Sequence, residues 1–195
     1  MAKKRSGRKS MSLSIFSILA LALVIITVPL LLVPFYNMQL SGGIGGLSGS
    51  GTLHTATGFD FLAGFFTKLS GGNLGADNFA SALAFSEETN VAAMLTGAFV
   101  LVLLIAAALY LIFFLLGVCG VIKKAKNLLN GMLILGVVAM VAATVCCFVI
   151  AGHYSGEISI DLVLFEITGT ASGWTFAFIP LITLIGAAVL NGIKK

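Results

Sequence analysis

The residues able to do chemistry are few and scattered. Two histidines, His54 and His153, and seven acids, Asp60, Asp77, Glu87, Glu88, Glu157, Asp161 and Glu166, all fall between long apolar runs. Two histidines from separate loops, with Asp60 or Glu157, would supply enough ligands for a metal ion on paper. No spacing supports this: there is no HExxH, no serine-triad pattern and no cysteine-rich pair. A loop histidine outside any motif is ordinarily a solvated or hydrogen-bonding residue. His54, Asp60, His153, Glu157 and Asp161 are therefore read as an interaction surface. No catalytic residue, metal site or cofactor is expected.

Two other features invite a chemical reading. The run Ser41-Gly42-Gly43-Ile44-Gly45-Gly46-Leu47-Ser48-Gly49-Ser50-Gly51 resembles a phosphate loop superficially, but no GxGxxG register fits and no Gly-Lys-Ser/Thr follows. Gly46-Leu47-Ser48-Gly49-Ser50 is not a nucleophile elbow, since its last position is Ser. The run is expected to be a flexible or tight-turning connection. Cys119, Cys146 and Cys147 lie inside or beside apolar runs, with Cys119 toward the opposite end from the other two. They read as small packing residues, with juxtamembrane acylation as the alternative for Cys119.

Apolar runs must position all of these residues. Of 195 residues, 59% are hydrophobic and 9% charged, against roughly 45–50% and about 25% in a soluble domain. So few charges cannot coat a soluble globule, and so much apolar surface excludes a disordered chain. Four stretches reach the ~20 residues needed to cross a bilayer: 12–35, 91–122, 128–151 and 173–193. None contains Asp, Glu, Lys, Arg or His. The fold class expected is an all-α membrane protein, a four-helix transmembrane bundle with a small extracellular β-containing cap. Its parts are a basic tail (1–11), an outer loop (36–90), a turn (123–127), a second outer loop (152–172) and a short basic end (194–195).

Charge orients the chain. Ten of the eleven bases lie in the tail, the turn and the C-terminal end, and only Lys68 lies elsewhere. All seven acids and both histidines lie in the two longer loops or beside them. The positive-inside rule places the basic side, with both termini, in the cytoplasm. The expected location is the plasma membrane, multi-pass. The expected partners are the lipid bilayer and other membrane proteins or a second copy, without nucleic acid, because a basic tail flanking a span is a topology determinant held against anionic lipid.

Within the spans, small residues mark close packing: Gly97 in the second, Gly136, Ala139 and Ala143 in the third, Gly186 in the fourth. Pro29 and Pro180 are expected to kink the first and fourth by removing a backbone donor. In the loops, Asn37–Leu40, Thr52–Thr57 and the alternating stretch Glu157–Thr168 read as strands. Phe59–Leu69 and Asp77–Phe85 read as short helices. Ser86 reads as the N-cap of the second span, with Glu87 and Glu88 in its first turn.

This plan resembles the layout of the claudin and peripheral-myelin-protein superfamily, whose outer loops form a small sheet over a left-handed four-helix bundle. The resemblance covers the whole chain in topology. The family's first-loop signature of Trp, Gly-Leu-Trp and two Cys is met only at Gly46-Leu47, so no functional residue is carried over. The expected function is a non-enzymatic accessory subunit or cell-surface interaction module acting through acidic outer loops. The alternatives are an oligomeric channel or transport-complex component, and an enzyme at the outer surface.

Overall fold

The computed structural model describes residues 14–44, 47–70, 87–122, 124–153, 156–162 and 165–193. In chain order these form α1 (Ile15–Leu30), β1 (Pro34–Ile44), β2 (Leu47–Thr57), α2 (Gly58–Leu69), α3 (Glu87–Val118), α4 (Ala125–His153), β3 (Gly156–Leu162), β4 (Phe165–Trp174) and α5 (Phe178–Gly192). Among the described residues the protein is mostly helical, with one small sheet.

Each helix has a local cause. Ser14 caps α1 by accepting the Ser17 N–H at 3.2 Å, meeting one of the four donors a helix start leaves unpaired. α3 closes through Gly120, whose φ of 71° lets the Val121 N–H reach back to the Leu116 carbonyl at 2.9 Å. That is the left-handed glycine stop common at helix ends. α3 and α4 are long and apolar enough to cross a membrane, over Val91–Val118 and Ala125–His153.

α1 and α5 are shorter, with 16 and 15 residues. The apolar windows 12–35 and 173–193 outrun them because their sheet-side residues leave the helix. β1 begins at Pro34 and β4 ends at Trp174. Proline cannot continue a helix, and the paired strands take over the backbone hydrogen bonds. Pro29 is one residue from the end of α1, so any bend falls at the exit toward β1. Pro180 is the third residue of α5, in the turn whose N–H groups lack intrahelical partners anyway. It starts that helix instead of kinking it.

The sheet has the order β2-β1-β4-β3, antiparallel throughout. Two hairpins, one from each half of the chain, join through β1 and β4. The helices follow the same palindrome: α1 packs on α5 and α3 on α4, with α4 also against α5 and α2 against α3. Most of the glycine run expected to be a flexible or tight-turning connection is instead strand, 41–44 in β1 and 47–51 in β2. Gly42 pairs with Gly49 on one side and with Gly169 on the other. Backbone pairing carries these positions where side-chain propensity does not.

Two clusters form the core. Near the sheet, Leu31, Phe35, Tyr36, Phe61, Val100 and Met140 pack together. Toward the α3–α4 turn, Val24, Tyr110, Phe114, Leu129 and Leu133 do so. The outer surface of α3 and α4 is also apolar: Ile105, Ile112, Leu115, Ile134, Val138, Val145 and Phe148 are all exposed. A belt this extensive exceeds the apolar patch a soluble monomer tolerates.

Candidate functional site

Gly136, Ala139 and Ala143 are buried on α4, and a Cβ on Gly136 would stand 3.4 Å from Leu103 of α3. A Cβ on Gly186 would stand 3.3 Å from Leu23 of α1. Gly97 is the tightest: a Cβ there would meet the Phe61 carbonyl oxygen and come within 2.7 Å of the Phe65 Cβ. α2 therefore lies directly on the α3 backbone.

Asp60 has a structural task. Its Oδ2 accepts from the Thr57 N–H at 2.7 Å and from the Thr57 hydroxyl at 2.8 Å, while the Asp60 N–H donates back to Thr57 Oγ1 at 3.3 Å. This capping box starts α2. His153 ends α4 and is exposed, a position where a cation suits the helix dipole.

The other three expected residues are strand positions. His54 is on β2 opposite Met38, Glu157 on β3 opposite Thr170, and Asp161 on β3 opposite Glu166. β2 and β3 are the two outer edges of the sheet. Three strand spacings of about 4.8 Å separate them by about 14 Å, so His54 and the β3 acids do not meet in one ligand set. Among the described residues, no three His, Cys, Asp or Glu are grouped to hold a metal ion.

The register does bring other positions together. One row runs Ser50, Ser41, Thr170, Glu157, and the second row beyond it runs Ser48, Gly43, Thr168, Ser159. Alternate rows of an antiparallel sheet share a face. Gln39, Thr52, Ser172, Asp161 and Glu166 fall on that same face, as do Asn37, Thr55 and Trp174 in its next row, so Gly43 and Trp174 interrupt its polar character. The intervening rows carry Met38, Leu40, Ile44, Leu47, Ile158, Ile160, Leu162, Phe165 and Ile167 with glycines and alanine, and His54 opposite Met38, on the face away from the acids. The sheet is thus two-faced, with three acids at the β3–β4 end of its polar side. Sequence reading takes Glu157–Thr168 as one alternating strand, where the structure has β3 and the first residues of β4 as two paired strands, and it misses the pattern in β1 and β2. A hydroxyl at every second position of 48–52 and 168–172 was the available signal.

Sequence reading also missed two polar contacts between helices. Asn191, buried on α5, donates through Nδ2 to Asn130 Oδ1 on α4 at 2.6 Å. The Thr27 and Thr183 hydroxyls join α1 to α5. Thr96 and Thr144 are buried and donate to the Ala92 and Met140 carbonyls of their own helices. Cys119 is exposed after α3, and Cys147 is buried in α4 beside the half-buried Cys146.

No protein-family model matches the chain. No curated protein matches it, and neither does any solved structure.

Proposed function

We propose that the chain is a four-span, non-enzymatic integral membrane protein of the cell surface, an accessory subunit or interaction module that binds through the polar face of its outer sheet. The observation that carries this is the two-faced sheet. Hydroxyl and acid positions from both halves of the chain converge on one surface, at the end of the helices away from Lys124 and Lys126. Such a surface offers many hydrogen bonds and net negative charge, which suits selection of a basic or donor-rich partner.

The exposed apolar belt on α3 and α4 supports the membrane reading, as does the separation of basic turn from acidic sheet. The short helices α1 and α5 fit it as well. Non-helical backbone is tolerated at membrane depth where it is buried in protein. Phe35, Tyr36 and Ala177, which extend α1 and α5 toward the sheet, are buried, and pairing begins at Pro34. The layout also fits the claudin-like plan, as fold-level analogy only. A channel draws no support from Thr96, Thr144 or Thr183, whose hydroxyls bond within the protomer. An outer-surface enzyme draws none from His54 and the β3 acids, which lie on opposite sheet edges.

The test is extraction of the tagged chain from native membrane in mild detergent. A discrete partner is expected with the wild type and is lost from a Glu157→Lys/Asp161→Lys variant that keeps its helical content. A chain that purifies alone, or that conducts ions alone after reconstitution, contradicts the proposal.

A further inference from the structure

α2 carries more apolar surface than its contact with α3 uses. Gly58, Phe61 and Gly64 are buried, but Phe66, on the side away from Phe61 and Gly64, is 48% exposed, and Leu69, at the last position of α2, is 70% exposed. Lys68, the single base outside the two termini and the α3–α4 turn, sits beside Leu69 in the last turn. An exposed aromatic, an exposed leucine and a lysine on a short docked helix need an environment that is apolar on one side and wet on the other.

Two markers give the depth of α2. Its first N–H, on Gly58, donates to the Leu31 carbonyl at 2.9 Å, at the sheet-side end of α1. Its middle crosses α3 at Gly97. About 20 residues of helix span the hydrocarbon core. Counted back from Val118, where α3 ends, that length reaches Phe99, within one turn of Gly97. Both markers thus fall at one boundary of the core. On α3 itself, Leu95 is exposed near that level, so the α2 face continues the apolar belt.

We propose that α2 is an interfacial helix, with Phe66 and Leu69 seated in the outer leaflet and the Lys68 ammonium held at the level of the lipid phosphates. Amphipathic helices lie in this way with their apolar side in the headgroup–acyl boundary, and a lysine stem reaches from there to the polar layer. The occupant of this face is lipid rather than a protein partner. The proposal rests on the membrane reading above.

The test uses the full chain in phosphatidylcholine vesicles, with Trp174→Phe as background. Phe66→Trp reports on α2 and Ile112→Trp on the exposed middle of α3. Lipids brominated near the glycerol end of their chains, or near the chain ends, quench the emission by depth. The expected result is a blue-shifted Phe66→Trp emission, lost most with glycerol-end bromines, and an Ile112→Trp emission lost most with chain-end bromines. A water-like, unquenched Phe66→Trp beside a quenched Ile112→Trp overturns the α2 proposal alone. An unquenched Ile112→Trp overturns the membrane reading itself, and the α2 proposal with it. Leu69→Trp gives the same readout if the Phe66 variant fails to fold.

Discussion

The Thr27 hydroxyl on α1 stands 2.9 Å from the Thr183 hydroxyl on α5, across 156 residues of chain. Each oxygen also lies within hydrogen-bonding reach of a carbonyl of its own helix, Leu23 for Thr27 and Pro180 for Thr183. This pair ties the first helix to the last just below the point where β1 and β4 take over.

Replacing Thr27 by Val keeps the shape and removes the hydroxyl. A double-mutant cycle with Thr183→Val, measured by unfolding in detergent, is expected to give a coupling of about 0.6 kcal/mol, the typical value for a hydrogen bond between helices in lipid. Additive single variants contradict the pairing.

Three of the helical glycines, Gly97, Gly136 and Gly131, rank themselves. Gly97→Ala drives a methyl into α2 backbone that cannot yield, and a loss of about 1–3 kcal/mol is expected, as for other overpacked sites. Gly136→Ala meets only ordinary contact, and Gly131→Ala meets nothing within 4 Å. The last is expected to stabilise α4 by roughly 0.5–1 kcal/mol through lower chain entropy. Thermal unfolding in detergent reads all three, and equal effects contradict the close approach of α2 to α3.

Asp60→Ala removes one half of the α2 capping box. A loss of about 1 kcal/mol is expected, as for other N-terminal caps, read as faster hydrogen exchange over Gly58–Leu69. Metal titration, which would shift if Asp60 were a ligand, is expected to leave the protein unchanged.

Tyr110 is 1% exposed, and its hydroxyl has no hydrogen-bond partner among the described residues. Its ring stacks on Phe114 at 6.5 Å. Tyr110→Phe keeps that stacking and removes a polar group whose unmet hydrogen bond costs about 1–3 kcal/mol. The variant is expected to unfold at higher temperature than the wild type. A lower melting temperature contradicts an unpartnered hydroxyl.

Much of this structure was legible because lipid-like apolarity and alternation are strong signals. The long helices α3 and α4 follow from uncharged runs, α2 from Phe59–Leu69, and β3 from Ile158, Ile160 and Leu162 against Ser159 and Asp161. The expected helix at Asp77–Phe85 and the Ser86 cap lie outside the described residues. What the sequence hid depends on pairing. Gly42, Gly49 and Gly169 have no side chain to announce a strand, and only their cross-strand partners make them one. The short α1 and α5 were hidden for the same reason, since Val33–Phe35 and Trp174–Ala177 are apolar enough to read as helix until β1 and β4 pair. The separation of His54 from Glu157 is a matter of strand order, which no local pattern encodes.

The most direct measurement of the proposed four-span arrangement is sidedness. In a background with Cys119, Cys146 and Cys147 replaced by Ala, single cysteines are introduced at Ser48, Glu166 and Lys126 and treated in intact cells with a membrane-impermeant maleimide. Label is expected at Ser48 and Glu166 without permeabilisation, and at Lys126 only after it. Label at Lys126 in intact cells, or at only one of the two sheet positions, would contradict a sheet held outside by helices crossing the membrane four times.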